Sequence, residues 1–124
     1  MKAKDIVLSF WESMRSNDFA GASKWLTEDF EGDWPQSSEL ISGRDNFIAI
    51  NTEYPANGRW EFTLNSIVCE GDIVVTDVSV SDGEQQARAI TFHTVKNDLI
   101  CRQVEFWPDN YDPPKWRSRW VKSY

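Results

Sequence analysis

The chain has 124 residues, enough for one domain around one core and not for two. Apolar residues make up 40% and aromatic residues 14%, a composition that excludes a disordered chain. The net charge is −7, and residues 1–107 carry 9 basic against 18 acidic side chains, so most of the surface repels nucleic acid.

The first segment, MKAKDIVLSFWESM, carries acids within its apolar run and lacks a small-residue cleavage site, which argues against a signal peptide. No stretch approaches the roughly 20 apolar residues that span a bilayer, so no membrane partner is expected. Ile6, Val7, Phe10, Trp11 and Met14 recur at three- and four-residue spacing and predict a helix. SND at 16–18 stops it and caps a second helix, with Phe19, Ala22, Trp25 and Leu26 as its apolar stripe. TEDFEGDWPQSSE (27–39) has no clear period and reads as a loop carrying Trp34. A third helix is expected from Ser42, where S-G-R-D resembles a capping box, through Phe47, Ile48 and Ile50 to Tyr54, stopping at Pro55.

From Trp60 the period changes to two. WEFTLNSIVCEGD, IVVTDVSVSDG, EQQARAITFHTVKND and LICRQVEFW predict four strands joined by the short turns EGD, DG and ND. Helices first and strands after make an α+β class. If Asn97-Asp98 is a two-residue turn, Lys96 pairs with Leu99, Arg88 with Trp107, Ile90 with Glu105, and Phe92 with Gln103. A two-residue turn at Asp82-Gly83 then sets Asp77 opposite Arg88. Asp77, Arg88 and Glu105 would share one face of three strands, bordered by Phe92 and Trp107. Such a cluster is either the polar floor of an apolar pocket or an ion-pair ladder on an exposed sheet. A slip of one residue would move Asp77 to the other face.

His93, the one histidine, falls beside Arg102 on the face opposite Glu105 and reads as a packed strand residue. No nucleophile elbow and no phosphate-binding glycine loop is present. Cys69 and Cys101 are isolated thiols without companion ligands, so no metal and no cofactor are expected, and the thiols suit a reducing cytoplasm. Residues 108–124 end the chain with Pro108, Pro113, Pro114, Trp116 and Trp120 and a charge of +2. Proline cannot continue a strand ladder, so this segment is expected to fold back as a flap packed on the body or on a partner.

The element order and these residues resemble the SnoaL-like branch of the nuclear transport factor 2-like superfamily. The matching stretches are SNDFAGASKWLTEDF, ISGRDNF, NTEYPANGRWEF, EGDIVVTDVSVSDGEQQARAITF and NDLICRQVEFWPD, which span essentially the whole chain. The resemblance implies a cone-shaped α+β barrel. Three N-terminal helices would pack against a curved, mainly antiparallel sheet of four to six strands, around an apolar cavity and often in a homodimer. Members include polyketide cyclases, ketosteroid isomerases, limonene-epoxide hydrolases and dehydratases. The last-strand aspartate of the epoxide hydrolases matches Glu105, which the resemblance therefore points into the cavity. Their arginine and second aspartate have Val78 and Val80 in their places. Where cyclases carry an aspartate after the last-strand tryptophan, this chain has Pro108, with Asp109 next.

Three functions follow as expectations. The first is cofactor-free proton transfer on a small apolar molecule, with Glu105 as acid or base and Arg88 or Asp77 orienting it. Trp11, Trp34, Phe47, Tyr54, Phe92, Gln103 and Trp107 would form the surrounding wall. The second is a module that binds such a molecule without turning it over. The third is a protein-interaction domain that uses the sheet and the tryptophan-rich tail.

Overall fold

A computed structural model describes residues 1–124. Helix α1 (Ala3–Arg15) buries Ile6, Val7, Phe10, Trp11 and Met14, the stripe its spacing predicts. Each such side chain contributes about 1.5–3 kcal/mol when fully buried. The Arg59 guanidinium meets the carbonyls of Arg15 and Ser16 at the helix end, at 3.1 and 3.0 Å. Asp18 caps α2 (Phe19–Ser23) by accepting from the Gly21 N–H at 2.9 Å. This second helix is shorter than expected, because Leu26 already belongs to a strand.

The segment read as a loop holds strands instead. β1 (Leu26–Trp34) pairs antiparallel with β2 (Glu39–Ser42) and parallel with the last strand of the chain. Helix α3 (Gly43–Glu53) follows directly on Ser42, which makes no side-chain cap; the Ser42 carbonyl instead accepts from Asn46 Nδ2 at 3.0 Å. Arg44 ties α3 to β1 through two bonds to the Leu26 carbonyl, at 2.9 and 2.7 Å. Strands β3 (Glu61–Glu70), β4 (Ile73–Ser81), β5 (Gln86–Lys96) and β6 (Leu99–Phe106) then complete the expected meander.

The six strands form one mixed, open sheet in the order β2-β1-β6-β5-β4-β3. The helices cover its inner face, giving the α+β cone, and the core runs from α1 and Phe30 to Val74, Val78, Ala89 and Ile100. No helix is long and apolar enough to cross a membrane.

Two details of register decide which side chains face the core. Asn97 and Asp98 take φ of 53° and 64°, the tight turn expected, and Lys96 pairs with Leu99. Beyond Ile100, however, Cys101 is an extra residue in β6, and the pairing resumes as Thr94 with Arg102. This bulge slips the register by one and inverts every later side chain. Glu105 therefore lies opposite Thr91, not Ile90, and Gln103 opposite His93, not Phe92. The β4–β5 turn is longer than the two residues expected, with Ser81 pairing with Gln86. That slip is by two, so Asp77 and Arg88 stay on a common face and form an ion pair, Nη2 to Oδ2 2.7 Å. Inside the longer turn the Asp82 carboxylate accepts from the N–H groups of Asn57, Glu84 and Gln85, which holds its pKa far below the ordinary carboxylate range.

Beyond Phe106 the chain has no regular structure except one 3-10 turn, Lys115–Arg117. Trp116 and Trp120 are 72% and 70% exposed, each with a neighbouring arginine over its ring. Neither tryptophan of the tail is buried against its own subunit.

Candidate functional site

A cavity of about 160 Å³ opens between α1, α3 and the inner face of the sheet. Of the residues expected at the site, Trp11, Trp34, Phe47, Tyr54, Gln103, Glu105 and Trp107 line it. Asp77, Arg88 and Phe92 do not: they lie on the outer face, and Phe92 is 42% exposed. The expected cluster of Asp77, Arg88 and Glu105 is thus split by the sheet, and the Cys101 bulge is the physical cause. The wall also includes Phe10, Met14, Trp60, Phe62 and Val80, which sequence reading treated as core or strand. Their apolar periodicity was visible, but periodicity does not distinguish a cavity wall from a filled core.

Glu105 is the central polar group. Its Oε2 accepts from Thr91 Oγ at 2.6 Å and its Oε1 from Trp34 Nε1 at 3.1 Å, and the Trp107 indole lies beside it on the cavity wall. Trp34 ends β1 and Trp107 follows β6, and the parallel pairing of these strands brings both indoles to one carboxyl. Burial raises the Glu105 pKa, and the neighbouring donors Thr91, Trp34 and Trp107 oppose that rise in part. No lysine, arginine or histidine lines the cavity, so no cation holds the carboxylate ionised. Asp33 also borders the cavity, but it lies opposite Val104, and its carboxylate is paired to Arg102 at 3.2 Å on the outer side of the sheet. Val78 and Val80 are buried on the inner face, so β4 brings no charged partner to Glu105.

Behind Gln103 lies His93, which is fully buried. The expected position beside Arg102, facing away from Glu105, is corrected by the same bulge. Its ring nitrogens meet Gln103 Nε2 at 3.0 Å and Thr76 Oγ1 at 2.8 Å, and burial alone pushes its pKa down to about 3. The ring is neutral and is not in the cavity wall. No three His, Cys, Asp or Glu side chains are grouped so as to hold a metal ion.

The arrangement offers one carboxyl, unbalanced by any cation, in an enclosed apolar wall. Such a group is more basic than a carboxylate in water and can take or give a proton. Its shell adapts to either state. Indole N–H groups only donate, whereas the Thr91 hydroxyl donates to the carboxylate and can turn to accept from the acid.

A SnoaL-like domain model matches residues 7–103, ending two positions before Glu105. No curated protein matches the chain significantly. Among solved structures, a candidate ketosteroid isomerase from Kribbella flavida DSM 17836 is 26% identical with a TM-score of 0.90, covering 98% of this chain and 89% of that one. An NTF-2 like protein of unknown function from Burkholderia xenovorans LB400 is 25% identical with a TM-score of 0.81, covering 98% and 94%. An LEH-like epoxide hydrolase from M. tuberculosis is 15% identical with a TM-score of 0.69, covering 86% and 82%, a likeness of fold alone.

Proposed function

The chain belongs to the SnoaL-like domain family, and from that premise we propose that it binds a small, largely apolar, uncharged molecule in the cone cavity and moves a proton on it through Glu105. The observation that carries this reading is the Glu105 carboxyl itself, held in the cavity by Thr91 and Trp34, beside Trp107, and faced by no cation. An anionic ligand would meet the Glu105 carboxyl and no cation, so the ligand carries no negative charge, and the apolar wall favours a neutral one. Asp33 is occupied by Arg102, and the outer-face pair Asp77–Arg88 cannot reach the cavity. A single carboxyl that takes a proton from one atom and returns it to another suits isomerisation better than hydrolysis, which needs a second group to activate water. The name of the Kribbella flavida neighbour supports the same reaction class.

The experiment is proton exchange from small enolisable ketones in D₂O, followed by ¹H NMR across pH. Wild-type exchange is expected to rise with ionisation of Glu105, and Glu105→Gln is expected to lower it by roughly 10²–10⁴-fold. Exchange that Glu105→Gln leaves unchanged would overturn the assignment. The second reading, a binding module without turnover, is favoured by the absence of a second free acid or base in the cavity. It predicts saturable ligand binding with no exchange at all. In both readings the protein is a cytoplasmic homodimer: its thiols Cys69 and Cys101 are unpaired, and the outer sheet face exposes Val68, Ile73 and Phe92.

A further inference from the structure

The buried chain behind Gln103 can be counted hydrogen by hydrogen. Trp11 Nε1–H donates to Thr76 Oγ1 at 3.2 Å, and an indole can only donate. Thr76 is fully buried, and its hydroxyl bonds to nothing except Trp11 and His93. The one acceptor for the hydroxyl hydrogen is therefore His93 Nε2, 2.8 Å away. A neutral imidazole has a single N–H, which must then sit on Nδ1 and needs an oxygen in front of it. Gln103 is the residue in front, with Nε2 placed 3.0 Å from Nδ1. In that orientation either two donors oppose each other or the Thr76 hydrogen is stranded, and a stranded buried donor costs about 1–3 kcal/mol. A half-turn of the amide exchanges its oxygen and nitrogen and gives the hydrogens of Trp11, Thr76 and His93 an acceptor each.

Gln103 makes no other hydrogen bond, lines the cavity, and has no polar atom sealed away from it. Whichever amide atom does not face His93 is thus presented to the ligand. We propose that His93 is a positioning residue that turns the Gln103 NH₂ into the cavity, making Gln103 a donor subsite for an acceptor oxygen, carbonyl or ether, of a neutral ligand. Gln103 and Glu105 alternate on the same strand face, about 6.5–7 Å apart. One small molecule then meets two different groups: Gln103 holds its oxygen and Glu105 addresses its proton. The subsite deepens the small-molecule reading above and rests on it for the presence of a ligand. The orientation of the amide does not.

The chain has one histidine, so a long-range ¹H–¹⁵N correlation spectrum of the ligand-free protein reads the His93 tautomer without ambiguity. A protonated Nδ1 and a bare Nε2 are expected; the reverse pattern, or an imidazolium, overturns the proposal. Acetophenone and α-methylstyrene, equal in shape and differing in C=O against C=CH₂, are then titrated by tryptophan fluorescence. Wild type is expected to prefer the ketone by about tenfold, the worth of one neutral hydrogen bond, and Gln103→Met to abolish the preference. Equal binding of the two by wild type overturns the subsite alone, whereas binding of neither overturns it together with the small-molecule reading. The tautomer and the wild-type preference decide the matter even if Gln103→Met does not fold.

Discussion

Glu105 couples the site to the stability of the fold through one proton. Because burial raises its pKa, the folded protein keeps this proton to higher pH than the unfolded chain does. The sign follows from linkage. Its contribution is fully favourable below the unfolded carboxyl value and declines as pH rises through the folded one. Glu105→Gln removes the ionisation and keeps the shape. The amide oxygen can face the two indoles while its NH₂ donates to a Thr91 hydroxyl turned to accept. We therefore expect the variant to melt at or above the wild-type temperature in mildly alkaline buffer, with the two converging in acid. Asp82, whose depressed pKa makes its contribution fade in acid, is common to both proteins and cancels from the difference. Thermal melts across pH check this, and a variant that melts lower at alkaline pH would show that the carboxylate itself stabilises the fold. The partners of Glu105 were not legible in the sequence. The turn register pairs Glu105 with Ile90 and so places Thr91 on the other face, and Trp34 lies in a segment without a period, 71 residues away.

At the scale of elements, what could be read was what depends on local spacing. The α1 stripe, the break at Pro55, the period-two strands and the Asn97-Asp98 turn all follow from neighbours in sequence. The β1–β2 hairpin did not, because LTEDFEGDW buries Leu26, Phe30 and Gly32 across an irregularity in its pairing with β6, and neither period two nor 3.6 survives that. The bulge at Cys101 leaves no local signal either, yet it decides which side of the sheet holds the site. Its role can be isolated by two changes at one position. Cys101→Ala loses only a weak Sγ contact to the Thr94 carbonyl at 3.5 Å and is expected to cost about 1 kcal/mol or less. Deleting Cys101 would set Arg102 directly after Ile100 in a regular ladder, with Thr94–Arg102, His93–Gln103 and Thr91–Glu105 still paired and Gln103 and Glu105 still inward. The buried His93 network is then kept, and the deletion is expected to cost about 1–3 kcal/mol for the local bend the bulge gives the strand. Urea melts of the two variants check it, and loss of the folded state on deletion would show that the bulge does more than absorb one extra residue.

For the whole molecule, the helix-then-strand order gives the α+β class and the family resemblance the cone, but the use of its outer face depends on forces that neither contains. Across β4, β5 and β6 that face carries Ile73, Phe92 and Phe106, the two phenylalanine rings 6.3 Å apart, beside the Asp77–Arg88 pair. An apolar patch centred on a self-satisfied ion pair suits a second copy of the same face. Two chains of net charge −7 nevertheless repel each other as they approach. In the proposed homodimer apolar contact would drive association and long-range charge would resist it, so the dimer should tighten as salt screens the repulsion. An association made by the basic tail on an acidic neighbour would weaken with salt instead. Light scattering coupled to size exclusion, at low and high ionic strength, separates these cases for a 14.4 kDa chain. We expect the dimer fraction to rise with salt, and Phe92→Glu, which places a carboxylate from each copy into the contact, to leave a monomer at both ionic strengths. A wild-type dimer that dissociates in salt, with Phe92→Glu behaving like wild type, would move the interface from the sheet to the tail.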